Sequence, residues 1–153
     1  ISVDKSNGVR IMGTGGLLTN LATCCRPMVG DDIVGYITRG RGVTIHRRDC
    51  KNVQGLADNE RLIDVSWGDA HEEQRYAVPV EVVAYDRDGL LRDVSTVIAD
   101  EKVNIIDVRV STRQDIAIIH LTLEITKPPQ LTRILARLGM VRSVTETYRC
   151  NAH

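Results

Sequence analysis

The chain has 153 residues, enough for one ordinary domain or two small ones, with 42% hydrophobic and 26% charged residues. Twenty basic residues balance twenty acidic ones, which excludes a whole-surface electrostatic case for nucleic acid and leaves only a local one. No apolar run reaches the roughly 20 residues of a membrane span and no signal peptide opens the chain, so a cytoplasmic protein with no membrane partner is expected.

The first residue is Ile1, as expected of a piece of something longer. Phe is absent, and one Trp and four Tyr leave the core to Val, Ile and Leu, which favour strands. Residues 13–22 are GTGGLLTNLA, rich in glycine but lacking the Lys-Ser/Thr of a phosphate-binding loop, and read as turns. TCCRPMVGDD follows, with Cys24 and Cys25 adjacent. Residues 33–38 (IVGYIT) and 43–46 (VTIH) read as strands around a glycine turn at 39–42, with a short helix over 48–56 and a third strand at 61–67. This half, 1–67, reads as a small α/β cysteine-rich domain.

Residues 68–75 (GDAHEEQR) carry no apolar periodicity and read as a linker. Beyond it, residues 76–85 alternate as a strand, with Pro79 better placed near a strand start or edge. Asp88 is placed to cap a helix on which Leu90, Val94, Val97 and Ile98 recur at helical spacing. A strand over 103–112 puts Ile106, Val108 and Val110 on one face. After a polar turn, a strand ending at Ile125 aligns Ala117, Ile119, Leu121, Leu123 and Ile125. Pro128 and Pro129 open a helix that carries Leu131, Ile134, Leu135 and Leu138 and is ended by Gly139. A weaker strand over 141–149 closes the half, and Cys150 and His153 read as a disordered tail. The chain is thus an α+β protein, and residues 76–150 follow the order βαββαβ of a ferredoxin-like fold. RNA-recognition modules share that order, but the strand at 116–125 offers no aromatic for base stacking. ACT modules share it too, and there the turn here reading Asp86-Arg87-Asp88-Gly89-Leu90 brings backbone amides to an amino-acid ligand. A tight strand-to-helix turn is the plainer reading of Gly89.

The cysteines raise a chemical question. Cys24, Cys25, His46 and Cys50 form a Cys3His set, a normal donor set for structural zinc, and an i, i+4 pair on a helix or turn would put His46 and Cys50 on one face. Adjacent side chains on a strand point to opposite faces, so both Cys24 and Cys25 reach one metal only if the backbone turns between them. Buried reduced thiols are the alternative, and a disulfide between neighbours is strained. A second local feature is the cluster Arg39, Arg41, Arg47, Arg48 and Lys51 against the single acid Asp49, which reads as a solvated basic turn or an RNA-phosphate patch.

The stretch ATCCRPMVGDDIVGYITRGRGVTIHRRDC resembles the conserved-cysteine region of long RelA/SpoT-family proteins, the enzymes of (p)ppGpp metabolism in the stringent response, and DRDGLLRDVSTVIADEKVNI resembles the opening of their ACT domain. The resemblance implies that Cys24, Cys25, His46 and Cys50 are zinc-finger ligands. It implies a non-catalytic regulatory region of a GTP diphosphokinase, whose catalytic domains lie N-terminal to it. It implies docking on ribosomal RNA beside an uncharged A-site tRNA, with the arginines as the RNA-facing patch. For the ACT half it implies a homodimer or a branched-chain amino-acid site lined by Asp88, Gly89, Leu90, Asn104 and Ile105. No His-Asp dipeptide of the family's hydrolase half occurs, so no catalysis is expected of this chain itself.

Overall fold

In the computed structural model, residues 11–40, 42–55, 59–68 and 75–151 are described, and the chain divides into two compact units between Gln74 and Arg75. Most of the stretch read as a linker, residues 69–74, lies outside the described residues, as do Arg41 and His153.

The first unit has too few residues for a large core, and its described strands are correspondingly brief. They are β1 (Ile11–Met12), β2 (Thr19–Leu21), β3 (Ile33–Ile37), β4 (Val43–Arg47), β5 (Leu62–Ile63) and β6 (Ser66–Trp67), with helix α1 (Lys51–Gln54). One sheet runs β2-β4-β3-β5, and β1 pairs with β6 in a two-stranded ribbon. Three expectations are corrected here. The glycine-rich segment is not all turns, because β2 pairs parallel to β4, with Leu21 opposite Ile45. The strand expected over 61–67 is broken after Ile63: β5 joins β3, whereas β6 leaves for β1. The helix expected from 48 to 56 is one turn, beginning only after Cys50. Gly42 makes the parallel pairing possible: at φ +80 its Cα lies so close to the Leu18 carbonyl that a Cβ would collide with it, and the next amide, Val43, donates to that carbonyl at 2.7 Å.

The second unit is a four-stranded antiparallel sheet of order β10-β7-β9-β8, made of β7 (Tyr76–Tyr85), β8 (Asn104–Arg113), β9 (Ile116–Ile125) and β10 (Val144–Arg149). Helices α2 (Leu90–Asp100) and α3 (Pro128–Gly139) complete the βαββαβ order. The side chains of Ala117, Ile119, Leu121, Leu123 and Ile125 are buried, as are Leu90, Val94 and Ile98 of α2 and Leu131, Ile134 and Leu138 of α3. Each fully buried aliphatic side chain contributes about 1.5–3 kcal/mol. Glu101 ties the helices together through Arg133 at 2.9 Å and Arg137 at 3.0 Å.

Four details differ from expectation. The N-cap of α2 is Gly89, at φ 80, and not Asp88. Pro79 stands within a central strand, not at an edge. Its carbonyl accepts from the Cys150 amide at 3.0 Å, so its missing N–H faces the end of β10 and the ladder to β9 loses nothing. That same bond ties Cys150, which is half-buried, to the sheet rather than leaving it in a loose tail. Finally, a bulge between Ile105 and Asp107 breaks the simple alternation of β8. Val108 and Val110 lie opposite Leu121 and Ile119, on the helix side of the sheet, yet at the edge they stay 43% and 49% exposed.

Candidate metal centre

His46 sits near the end of β4, paired with Val34 of β3. The chain then turns, with the Arg48 amide donating to the Asp32 carbonyl at 2.9 Å, and Cys50 becomes the N-cap of α1. His46 and Cys50 therefore meet across a strand end and a turn, which is the turn form of the expected i, i+4 pairing and not the helical one. The parallel register carries β2 to the same place: the Ala22 amide donates to the Ile45 carbonyl at 2.8 Å. Next comes a single turn closed by the Arg26 amide on the Ala22 carbonyl at 3.1 Å, with Arg26 at φ 48. In a helical turn, adjacent side chains are separated by about 100° and not by the 180° of a strand. That local geometry is how Cys24 and Cys25 both face His46.

The four donor atoms all lie within 4.8 Å of one another. Cys24 Sγ is 3.5 Å from His46 Nδ1, Cys25 Sγ is 3.8 Å from it, and Cys24 Sγ is 3.6 Å from Cys50 Sγ. A tetrahedral zinc with its usual bond lengths needs edges of about 3.6 Å between sulfur and nitrogen and about 3.8 Å between sulfurs. The donor set thus has both the identity and the spacing of a Cys3His site, with Nδ1 as the imidazole donor. The Arg47 amide donates to Cys25 Sγ at 3.3 Å, the kind of outer bond that orients a ligating sulfur. Ala22, Val34 and Val53 pack around Cys25 and Cys50, with Cys24 and Leu62 at the margin.

Electrostatics differ from thiol to thiol. Burial pushes Cys25 up to about 12, only partly opposed by the Arg47 amide. Burial also pushes Cys50 up, but the Asn52 and Val53 amides at the start of α1 and the two neighbouring thiols outweigh it and hold Cys50 below its ordinary value. Burial lowers His46, favouring the neutral imidazole that a metal requires.

The described members of the expected RNA-facing set, Arg39, Arg47, Arg48 and Lys51, are not brought into one patch. Arg39 lies at the tip of the β3–β4 hairpin, whereas Arg47, Arg48 and Lys51 lie at its base, about 13 Å or more away for a five-residue strand. Arg47 is paired with Asp49 at 2.9 Å, and Arg48 with Asp32 at 2.9 Å and Asp64 at 3.3 Å. Among the described residues, Arg39 and Lys51 have no acidic partner. The neutralising role of Asp32 and Asp64 carries no signal in the sequence, because both are distant from Arg48 along the chain.

In the second unit, Asp88, Gly89 and Leu90 line a cleft of about 420 Å³ with Arg92, Val110 and Ile119. Arg87 braces its loop, donating to the Arg142 carbonyl at 2.9 Å and to Asp93 at 2.8 Å. Asn104 and Ile105 do not line that cleft. Asn104 lies at the opposite end of β8, where it donates to Glu124 at 3.2 Å.

Residues 9–68 match the family model of the RelA/SpoT RIS domain, and residues 72–149 match that of the ACT domain. The GTP pyrophosphokinase of Escherichia coli K12 is 43% identical over 150 residues, covering 95% of this chain and 20% of that protein. The bifunctional (p)ppGpp synthase/hydrolase RelA of Mycobacterium tuberculosis is 42% identical over 144 residues, covering 93% and 19%. The chain thus spans about one fifth of the length of these curated relatives. Among solved structures, the ACT domain from the GTP pyrophosphokinase of Chlorobium tepidum aligns with a TM-score of 0.46 at 20% identity, covering 50% of this chain and 99% of that one. With both units matched in order and both relatives aligned along nearly the whole chain, the chain belongs to the RelA/SpoT family, as its C-terminal regulatory region of RIS and ACT domains.

Proposed function

We propose that this chain is the non-catalytic regulatory part of a GTP pyrophosphokinase, in which a zinc-organised RIS domain docks on ribosomal RNA beside an uncharged A-site tRNA and controls (p)ppGpp synthesis by the catalytic domains. The observation that carries the metal reading is the convergence of Cys24, Cys25, His46 and Cys50 within 4.8 Å. Zinc bound there would hold β2, β4 and α1 together in a unit whose own core is small. It would thereby fix the hairpin that carries Arg39 at its tip, a cation suited to phosphates. The test is ribosome pelleting over a salt series, with and without uncharged tRNA, on protein whose zinc has been measured by mass spectrometry. Saturable pelleting with a steep salt slope is expected, and the slope should fall by about one for each phosphate contact removed. No pelleting at low salt overturns the docking.

The second reading is an amino-acid-sensing dimer of the ACT domain, and β8 supports it. This ten-residue strand is a sheet edge on which Ile106, Val108 and Val110 are exposed, and Val110 lines the cleft. Antiparallel pairing of two copies about the middle of β8 would bring Asn104 and Ile105 of one copy near the Asp88–Leu90 loop of the other. That completes a site for a branched-chain amino acid which one copy lacks. Val108→Lys should give a monomer by light scattering and abolish any heat of valine or leucine binding. An unchanged dimer would place the interface elsewhere.

A further inference from the structure

The three thiols of the cluster are not equivalent. Cys25 and Cys50 are buried, whereas Cys24 is half-exposed, and its Sγ lies 3.6 Å from Cys50 Sγ. A disulfide needs a sulfur separation of about 2.05 Å, so closure asks for about 1.5 Å, within reach of side-chain rotation at a surface turn. Cys24 and Cys25 are neighbours, and a bond between them would strain the turn that presents them. Cys24 is therefore the thiol that an oxidant reaches, and Cys50 is the thiol placed to resolve it.

We propose that Cys24 and Cys50 are a modification site for hydroperoxides, closing an intrachain disulfide that takes two of the four donors away from a metal. Its second half rests on the zinc reading above. In the first step Cys24 sulfur attacks a peroxide oxygen, the O–O bond breaks, and one water leaves with a sulfenic acid formed on Cys24. In the second, Cys50 sulfur attacks that sulfur, the S–O bond breaks, and a second water leaves. Two thiols and one hydrogen peroxide give one disulfide and two waters, with sulfur oxidised and peroxide reduced. Thiol reductants reverse it.

The test treats the protein with hydrogen peroxide, blocks free thiols under denaturing conditions, and maps cross-linked peptides by mass spectrometry while a chromogenic chelator follows zinc. The expected result is a link between the peptide holding Cys24–Cys25 and the one holding Cys50, retained in Cys25→Ser and lost in Cys24→Ser. Wild-type protein stripped of metal by a chelator, which involves no substitution, should form the same link faster. A link that survives in Cys24→Ser, a link between chains, or oxidation of Cys24 without any link overturns the proposal. Zinc release should match disulfide formation one to one, and zinc retained after the link forms overturns the competition with metal. Protein that carries no zinc before peroxide overturns the metal reading, while the peptide map still decides the disulfide.

Discussion

At the scale of single residues, the cluster turns on how neutral donors are presented. His46 is lowered from its ordinary value of 6.5 by burial, so the folded chain keeps the imidazole neutral where the unfolded chain protonates it. The unfolded state then binds more protons, and stability falls as pH drops from 6.5 towards the folded value. Bound zinc deepens the effect, because every ligand must shed its proton to bind. Zinc should be retained at pH 7.5 and lost over roughly the range pH 6 to 4, a loss that dialysis and metal analysis would follow. His46→Ala should reduce zinc to a trace and remove the stabilisation that added zinc gives the wild type. That stabilisation is about 2.7 kcal/mol at a hundredfold excess over Kd, read from urea midpoints. Residue type and spacing singled out the four residues of the cluster but left buried thiols as an alternative to a metal, and it was the family resemblance that implied a ligand set. Their mode of convergence was not, because the turn at 22–26 depends on Arg26 adopting φ 48, which no residue type announces.

At the scale of elements, the second unit was far more legible than the first. Strands and helices of ten to twelve residues carry several periods of their pattern, so β7, β9, α2 and α3 declare themselves through Val, Ile and Leu spacing. Two- and three-residue strands carry no period. The pairing of β2 with β4 and the parting of β5 from β6 are decided by partners elsewhere in the chain. The expected face of β8 failed for a related reason, since one inserted residue at Ile106 resets the alternation. Gly42 offers a sharp check on the parallel pair. Gly40 and Gly42 both have positive φ, but open space surrounds Gly40 whereas the Leu18 carbonyl crowds Gly42. Gly40→Ala should cost about 1–2 kcal/mol from backbone strain alone. Gly42→Ala should cost at least about 3 kcal/mol, measured by urea denaturation, and should lower zinc content as β2 loses its register.

At the scale of the whole molecule, the charge pattern decides where RNA would feel the protein. Five cations in a short stretch of sequence suggested one patch, but folding pairs Arg47 and Arg48 with Asp49, Asp32 and Asp64. Sequence counts a charge wherever it occurs, whereas a fold spends some of them internally. Arg39→Ala should therefore weaken ribosome pelleting and flatten its salt slope by about one unit, whereas Arg48→Ala should change the slope by less than half as much. Equal effects of the two variants would mean that the ion pairs at the hairpin base open on docking.

The parallel pairing of β2 with β4 also sets an order of events during synthesis. Cys24 and Cys25 leave the ribosome 26 and 25 residues ahead of Cys50, and neither β4 nor His46 exists to receive them at first. At translation rates of about 5–20 residues per second, the vicinal thiols stay without their partners for roughly 1–5 s. For that interval they are an open pair on a nascent chain, available to any metal or oxidant present. The cluster is finished only when Cys50, the last of its four residues, has emerged.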